Sequence, residues 1–428
     1  MKAYKVLIFI ACVMAGLAAL CVVLPHRVSI GAHEVRWPTL AEVFNTPDTV
    51  PADTLLALEK NEVEPLAPEV VKPVIPKVVV DSTTDSRVFL SAFYASLPES
   101  ADRVVRVLHY GDSQIEEDRM TQQIREALQA RFGGGGVGLM PLAQTIPTLT
   151  VKQQLFMSRR FVAPAQGPQR HLVYGPRSGQ RANGLYGPMG QMAVMNDSLV
   201  KGSEEIMAVC TPQAREPRYT EWKIFADTSI HYTTSGDTVR LNGRGDVYGL
   251  SQQTSTGIIV DNIPMRGCLG LVFTKMDSTQ LTDFYRDENV RLIIMQFGGN
   301  AIPFNKNPRT IGAIVHGLRE QVQYLQRRAP GVPILFIGPS DMLTQEEGVW
   351  QTYPMVPYMD KLLRKMALEE NIAYFSLFRW MGGRGSMMRW QEVGLAGSDG
   401  VHFTRAGARK AGNAVAEWIL EGIERVNE

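Results

Sequence analysis

The sequence predicts an α/β fold, in which helices cover both faces of a parallel sheet and an all-β segment interrupts the chain. The first observation is that short apolar, β-branched runs alternate with helical patterns on both sides of the middle of the chain. The second is that residues 141–256 lack this alternation and contain short strand-like runs separated by Gly, Pro, Asn and Asp. We therefore expect one α/β domain formed by residues 86–140 and 257–428, with an inserted β-sandwich at 141–256.

The N-terminal segment predicts a membrane anchor. Lys2 and Lys5 precede an unbroken apolar stretch, residues 6–24, which is just long enough to cross a bilayer as a helix. The two lysines favour a cytoplasmic N-terminus, so residues 1–25 are interpreted as a cytoplasmic stub and transmembrane anchor. A cleaved signal peptide is the alternative, although the stretch is long for one and no A-x-A pattern follows it. Lipid attachment at Cys21 is disfavoured, because no small residue precedes it.

Residues 26–85 are interpreted as a proline-rich linker or stalk. This part of the chain cannot build a core and is expected to run extended between the anchor and the folded domain. Its prolines lie among acidic and small residues, at Pro47, Pro51, Pro65, Pro68, Pro73 and Pro76.

Charge and cysteine content exclude some classes of function. Lysine plus arginine (44) nearly balances aspartate plus glutamate (43), so no nucleic-acid partner is expected. Beyond the apolar stretch only Cys210 and Cys268 remain, which permits one disulfide or two free buried thiols. No CxxC or HExxH spacing indicates a metal, and no cofactor is expected.

The first α/β elements surround a Gly-Asp-Ser sequence. After a predicted helix at 86–97, the apolar run at residues 103–110 predicts a buried strand that stops at this tripeptide, which ends in Ser113. Apolar residues four positions apart then predict a helix that ends near Phe132, before four glycines. Further strands are predicted at 257–260, 290–297, 332–337 and 372–378, and further helices at 310–328, 356–370 and 405–426.

Ser113 is the candidate nucleophile. A strand that ends in Gly-Asp-Ser and leads into a helix places the serine hydroxyl at the carboxyl edge of the sheet, where open α/β folds have their sites. The backbone N–H of Ser113 can also help to stabilise an oxyanion. A plain turn is the alternative interpretation of the tripeptide.

Asp399 and His402 are the candidate partners of this serine, since they lie three residues apart just before the last predicted helix. His402 would accept the Ser113 proton and return it to the leaving alcohol, while Asp399 would orient the imidazole and stabilise its cation. Because Thr404 could serve as an N-cap, a purely structural role for this loop is the alternative.

Two glycine-containing sequences are candidates for the oxyanion hole. Gly298-Gly299-Asn300 follows the strand at 290–297, where the Asn300 amide can point at a developing oxyanion. Gly267 ends the sequence DNIPMRG and can offer a backbone N–H, with Gly270 as a nearby competitor.

These four blocks, in this order, resemble the SGNH (GDSL-like) hydrolases, a family named for Ser, Gly, Asn and His. Here they are Ser113 in GDS, Gly267, Asn300 in GGN, and His402 in D-x-x-H, and the resemblance covers residues 100–425. More narrowly, GDSQIEEDRMTQQIREALQARFGGGGVGLMP resembles the peptidoglycan O-acetylesterase branch, which carries a carbohydrate-binding-like β-sandwich between the serine and glycine blocks. Two positions depart from the family pattern. Gln114 stands where the family commonly has leucine or histidine, and Gly299-Asn300 replaces the commoner pairing that ends in Asn-Asp or Asn-Glu.

The resemblance implies a flavodoxin-like, three-layer α/β/α sheet and a serine esterase. Ser113, His402 and Asp399 would form the triad, and Ser113, Gly267 and Asn300 the oxyanion hole. The implied reaction removes O-acetyl groups from an envelope glycan, with peptidoglycan as the leading substrate. With the predicted anchor, this suggests a single-pass protein of the bacterial inner membrane whose catalytic domain lies in the periplasm or another extracytoplasmic space. An O-acetyltransferase with the same triad and a non-catalytic, anchored glycan-binding protein are the alternatives.

Overall fold

The structure is a computed structural model that describes residues 27–30, 33–36, 85–140, 148–156, 172–174, 181–183, 206–212, 221–226, 230–235, 238–243, 247–276 and 278–426. The chain divides into two compact units, Met1–Val78 and Val79–Glu428. In the first unit, strands β1 (Arg27–Ile30) and β2 (His33–Arg36) pair antiparallel, so the predicted linker contains a hairpin. The alternating, β-branched sequence of these strands accounts for it.

The predicted membrane anchor, residues 6–24, lies outside the described residues. Among the helices that the structure describes, none has the length and apolar character needed to cross a membrane.

The second unit contains sixteen strands within its described residues, and they continue the chain-order numbering. They are β3 (Val104–Gly111), β4 (Gly138–Met140), β5 (Val151–Phe156), β6 (Leu172–Tyr174), β7 (Arg181–Asn183), β8 (Ile206–Pro212), β9 (Glu221–Ala226), β10 (Ile230–Ser235), β11 (Thr238–Gly243), β12 (Val247–Gln253), β13 (Gly257–Pro264), β14 (Val290–Gln296), β15 (Ile334–Ile337), β16 (Leu343–Glu346), β17 (Val349–Thr352) and β18 (Ala373–Phe375).

The described helices of this unit are numbered in the same way. They are α1 (Ser91–Ser96), α2 (Thr121–Phe132), α3 (Ser278–Asp287), α4 (Pro308–Arg328), α5 (Val356–Glu369), α6 (Leu377–Trp380), α7 (Ser386–Glu392) and α8 (Arg405–Val426). Short 3₁₀ segments occur at Ser86–Leu90, Leu97–Ala101, Ser113–Asp118, Phe273–Lys275 and Gly299–Ala301.

A parallel sheet of five strands forms the centre of the fold, in the order β13-β3-β14-β15-β18. Its two faces are buried by different helices. Val105 and Val107 of β3 pack in a core with α2 and α8, whereas Leu108 and Tyr110 pack in a second core with α4 and α5. Side chains alternate between faces along a strand, and full burial of each aliphatic side chain contributes about 1.5–3 kcal/mol. The predicted α/β fold with a parallel sheet is confirmed.

The register of the sheet brings three chain segments to one edge. Gly111 at the end of β3 pairs with Pro264 of β13 on one side and with Gln296 of β14 on the other. The residues that follow these three positions therefore leave the sheet together at its carboxyl edge, which is where parallel sheets carry their sites.

Some predicted boundaries were wrong. The strand predicted at 372–378 ends at Phe375, because the Ser376 side chain accepts a hydrogen bond from the backbone N–H of Arg379 and begins α6. The helix predicted at 86–97 is a short α-helix flanked by two 3₁₀ segments. Helices α3 and α7 and the β16–β17 hairpin were not predicted.

Two antiparallel sheets contain most of the described strands of the interrupting part of the chain, together with β4 (Gly138–Met140), which precedes residue 141. Their orders are β10-β11-β8-β5 and β4-β12-β9, and β6 pairs with β7. The described residues of this part lie mainly in strands. The packing of the two sheets into a sandwich, and the domain bounds, stay predictions.

Candidate active site

Ser113 lies at the start of a 3₁₀ segment directly after β3. Asp112 caps this segment, because its Oδ1 accepts a hydrogen bond of 2.9 Å from the backbone N–H of Gln114. The sequence predicted a helix after the tripeptide, and the structure has this kinked segment before α2. The serine is thus held at the carboxyl edge of the sheet by a local side-chain cap.

The structure brings the three predicted triad residues into one chain of hydrogen bonds. Ser113 Oγ lies 2.9 Å from His402 Nε2, and His402 Nδ1 lies 2.7 Å from Asp399 Oδ2. A carboxylate acceptor at Nδ1 fixes the proton on that nitrogen, so Nε2 is left to accept the serine proton. This is the arrangement of a hydroxyl, a base and an orienting carboxylate.

The Asp399 carboxylate is itself held by its own loop. Its Oδ1 accepts hydrogen bonds from the backbone N–H groups of Val401 and His402, at 2.9 and 3.0 Å. Partial burial would raise the pKa of Asp399, but the hydrogen bonds from the His402 ring and these two N–H groups outweigh it, and the pKa lies below its usual value. The carboxylate therefore stays ionised beside the imidazole.

Gly267 and Asn300 line the same cleft as Ser113 and His402, a cavity of about 500 Å³. Gly267 has φ +71°, a left-handed conformation that favours glycine. The Asn300 amide donates to Asp112 Oδ2 at 3.1 Å and to the carbonyl of Cys268 at 3.2 Å. An oxyanion in the cleft would have to share one of these amide hydrogens with Asp112 or Cys268. The amide also links the Asn300 segment to the segments that carry Ser113 and Gly267.

Asp112 is a buried acid at the centre of this arrangement, only 4% exposed. Burial raises its pKa to about 6; the hydrogen bond from the Gln114 N–H and the charge of His402 oppose this shift, and the charge of Glu116 adds to it. The sequence analysis gave Asp112 no role, although it is part of the Gly-Asp-Ser motif.

An ion pair that the sequence analysis missed connects the serine loop to the oxyanion segment. Arg266, next to Gly267, donates from Nε and Nη2 to the two carboxylate oxygens of the buried Glu116, at 2.7 and 2.6 Å. Bidentate pairs of this kind are strong and geometrically specific. The two residues lie in separate segments, so no local pattern could indicate their contact.

The serine loop is also strained next to this pair. Glu117 and Asp118 have φ of +60° and +62°, which is unfavourable for residues with a side chain. Two contacts from the start of the interrupting segment hold them: the Leu149 N–H donates to the Glu117 carbonyl at 2.9 Å, and Thr150 Oγ1 donates to Asp118 Oδ2 at 2.7 Å. Arg125 completes the site of the Asp118 carboxylate.

Gln114, the residue that departs from the family pattern, contacts the histidine loop. Its Nε2 donates to the carbonyl of Val401 at 2.8 Å, while its buried Oε1 has no hydrogen-bond partner. The side chain therefore bridges the serine loop and the histidine loop. The sequence identified the position but not this contact.

Other candidate residues have structural roles. Cys268 is buried and free, and His109 is buried between Gln296 and Thr121, at 3.2 and 2.9 Å. Burial lowers the pKa of His109 to about 3, with the Gln296 hydrogen bond opposing the shift and the charge of Arg125 adding to it. Within the described parts of the chain, no group of three or more His, Cys, Asp or Glu side chains is arranged to hold a metal ion.

Part of the chain matches a known protein family. Residues 215–410 match the GDSL-like Lipase/Acylhydrolase family, a range that includes Gly267, Asn300, Asp399 and His402. The matched residues carry three of the four sequence blocks, and Ser113 lies before them in the chain.

Solved structures that match the chain include the following esterases. A peptidoglycan O-acetylesterase matches with a TM-score of 0.59 and 18% identity, over 81% of this chain and 98% of that one. A carbohydrate acetylesterase from Sinorhizobium meliloti (16% identity, TM-score 0.28) covers 38% of this chain and 79% of its own. An acetyl xylan esterase matches with 13% identity and a TM-score of 0.27, over 38% of this chain and 80% of that one. No curated protein sequence gives a significant match.

Proposed function

We propose that this protein is a serine esterase that removes O-acetyl groups from an envelope glycan, with peptidoglycan as the proposed substrate. The observation that carries the proposal is the continuous hydrogen-bonded chain from Ser113 Oγ through His402 to the Asp399 carboxylate. A serine hydroxyl beside an oriented imidazole is the arrangement that activates a nucleophile for acyl transfer.

In the first half of the reaction, Ser113 Oγ attacks the acetyl carbonyl carbon while His402 Nε2 takes the hydroxyl proton. The tetrahedral intermediate then expels the sugar oxygen, which receives that proton from His402, and an acetyl-serine remains. In the second half, His402 removes a proton from water as the water attacks the acetyl-serine. Acetate leaves and the proton returns to Ser113, so the protein is unchanged.

Three donors are assigned to the oxyanion of the intermediate: the backbone N–H groups of Ser113 and Gly267 and the side-chain amide of Asn300. Each donor of this type contributes about 3–4 kcal/mol to lowering the barrier. Asp112 and Cys268 hold the Asn300 amide at the cleft before the substrate arrives.

Hydrolysis is favoured over acetyl transfer because the triad is open to solvent. The side chains of His402 and Asp399 are 39% and 51% exposed. Transfer to a second sugar requires a site that excludes water from the acyl-enzyme.

The substrate and the location are inferred from different sources. The fold shared with a peptidoglycan O-acetylesterase supports an acetylated glycan as the substrate. The apolar segment 6–24 and the proline-rich stretch after it support a single-pass anchor that holds the catalytic domain on the extracytoplasmic side of the inner membrane. The antiparallel sheets between β3 and β13 are assigned to a carbohydrate-binding-like sandwich.

The test is acetate release by the full-length protein from O-acetylated peptidoglycan and from acetylated xylan, with Ser113→Ala as the control. Release from peptidoglycan that depends on Ser113 is expected. Release from xylan alone would retain the mechanism and change the substrate, and appearance of newly acetylated glycan would indicate transfer. Equal activity of both proteins, or none in either, would refute Ser113 as a hydrolytic nucleophile.

A further inference from the structure

Phe304 is an exposed aromatic side chain at the candidate active site. It lines the same cleft as Ser113 and His402, yet it is 86% exposed. Phe297 and Phe336, which belong to the core around the central sheet, are at most 1% exposed. Phe304 thus lies where a ligand of the cleft can cover it.

The loop that carries Phe304 is fixed on both sides of it. Before it, Ile302 is buried at 1% exposure. After it, the Asn305 side chain donates to the carbonyl of Ala301 at 2.6 Å, and Lys306 lies 3.8 Å from Glu346 of β16. These contacts position the backbone that carries the aromatic side chain at the rim before any ligand binds, which lowers the entropy cost of binding.

The cleft is larger than an acetyl group needs. Its volume of about 500 Å³ lies within the range of pockets that enclose drug-sized ligands. Its wall also carries Arg119 and Arg266, whose guanidinium N–H groups that are not used by Glu116 or Phe403 can donate hydrogen bonds to a ligand. An apolar ring together with polar donors suits a ligand that has both a C–H face and hydroxyl groups.

We propose that Phe304 forms a sugar-binding subsite of the cleft, where the face of one pyranose ring of the glycan stacks on the phenyl ring. This inference rests on the proposed action on a glycan. The axial C–H groups of a pyranose carry partial positive charge and the face of an aromatic ring partial negative charge, so the two faces attract each other while apolar area is buried. The subsite makes the enzyme select sugar-borne esters over small esters.

The test compares two substrates of the full-length protein, acetylated glycan oligomers and p-nitrophenyl acetate. Phe304→Ala is expected to lower kcat/KM on the oligomers about tenfold, because KM rises. Its kcat/KM on p-nitrophenyl acetate is expected to stay within about twofold of the wild-type value. Phe304→Trp should retain activity on oligomers. Val393→Ala is the matched control, since Val393 is 69% exposed and does not line the cleft.

Equal effects of Phe304→Ala on both substrates, or no effect on either, would overturn the subsite. A second measurement separates this result from failure of the proposed function. Binding of de-O-acetylated glycan oligomers to Ser113→Ala protein should weaken about tenfold when Phe304→Ala is added. If the wild type released no acetate from any glycan but this binding loss were found, the subsite would stand and the esterase would not. Equal binding by both proteins, or binding by neither, would overturn the subsite whatever the activity.

Discussion

Replacement of Asp399 by asparagine tests how the imidazole is oriented. The asparagine carbonyl can keep the hydrogen bonds from the Val401 and His402 N–H groups, which now measure 2.9 and 3.0 Å. Its NH₂ group would then face His402 Nδ1, which must become an acceptor. The proton would move to Nε2, 2.9 Å from Ser113 Oγ, and Nε2 could no longer accept the serine proton.

The magnitude follows from what is lost. A hydrogen bond to a charged group contributes about 2 kcal/mol, and loss of the carboxylate beside the developing imidazolium costs about as much again. Because the Asp399 side chain is 51% exposed, water replaces part of its effect. The sum, about 4 kcal/mol, corresponds to a fall in kcat of about 10³-fold.

The assay is steady-state hydrolysis of p-nitrophenyl acetate, with Ser113→Ala as the floor, together with denaturant unfolding. The free energy of unfolding of Asp399→Asn should lie within about 1 kcal/mol of the wild-type value, because both backbone hydrogen bonds remain. A folded Asp399→Asn protein with kcat within tenfold of the wild type would refute the assignment of Asp399 as the orienting carboxylate.

Three further substitutions test the groups around the triad. Glu116→Gln leaves Arg266 with one hydrogen bond instead of two, so we expect about 1–2 kcal/mol lower stability and about tenfold lower kcat with KM unchanged; a change confined to stability would contradict a positioning role. Burial raises the pKa of Asp112 to about 6, so the folded protein holds this proton more tightly than the unfolded chain does. The unfolding free energy of the wild type, relative to Asp112→Asn, should therefore fall by up to about 3 kcal/mol as pH rises from about 4 to above 6, and a difference independent of pH would contradict this. Gln114→Leu removes the hydrogen bond to the Val401 carbonyl but also removes an unpaired buried oxygen, so the free energy of unfolding should change by less than about 1 kcal/mol. A decrease of more than about 2 kcal/mol would contradict this and show that the bridge is essential.

The sequence predicted what depends on local patterns. The last helix, predicted at 405–426, is Arg405–Val426 in the structure, because its apolar positions repeat at the helical period and pack on the sheet. The strand before Ser113 and the loop of His402 were found in the same way, since a β-branched run that ends at Gly-Asp-Ser and a D-x-x-H before a helix are visible in the chain itself.

What the sequence did not predict depends on contacts between distant residues. Arg266 and Glu116 lie in segments that follow different strands, β13 and β3, and nothing near either residue indicates the other. The end of the strand at Phe375 was missed for a related reason: the apolar run continues through Leu377, and only the Ser376 cap separates strand from helix. Apolar patterning cannot locate a boundary where the hydrogen bond of one polar side chain determines whether the backbone continues as a strand or begins a helix.

The hydrogen bonds from Leu149 and Thr150 to the serine loop have a consequence for how this enzyme can be divided. The left-handed backbone at Glu117 and Asp118 is held by those partners together with Arg125, and Leu149 and Thr150 both lie in the segment that interrupts the α/β fold. A shortened protein that joins β3 and α2 directly to β13 would lack Leu149 and Thr150, and the segment Ser113–Asp118 would lose two of the hydrogen bonds that support its strained end. The interrupting segment therefore contributes to the structure of the candidate active site, and Leu149 and Thr150 cannot be exchanged like residues of an appended module.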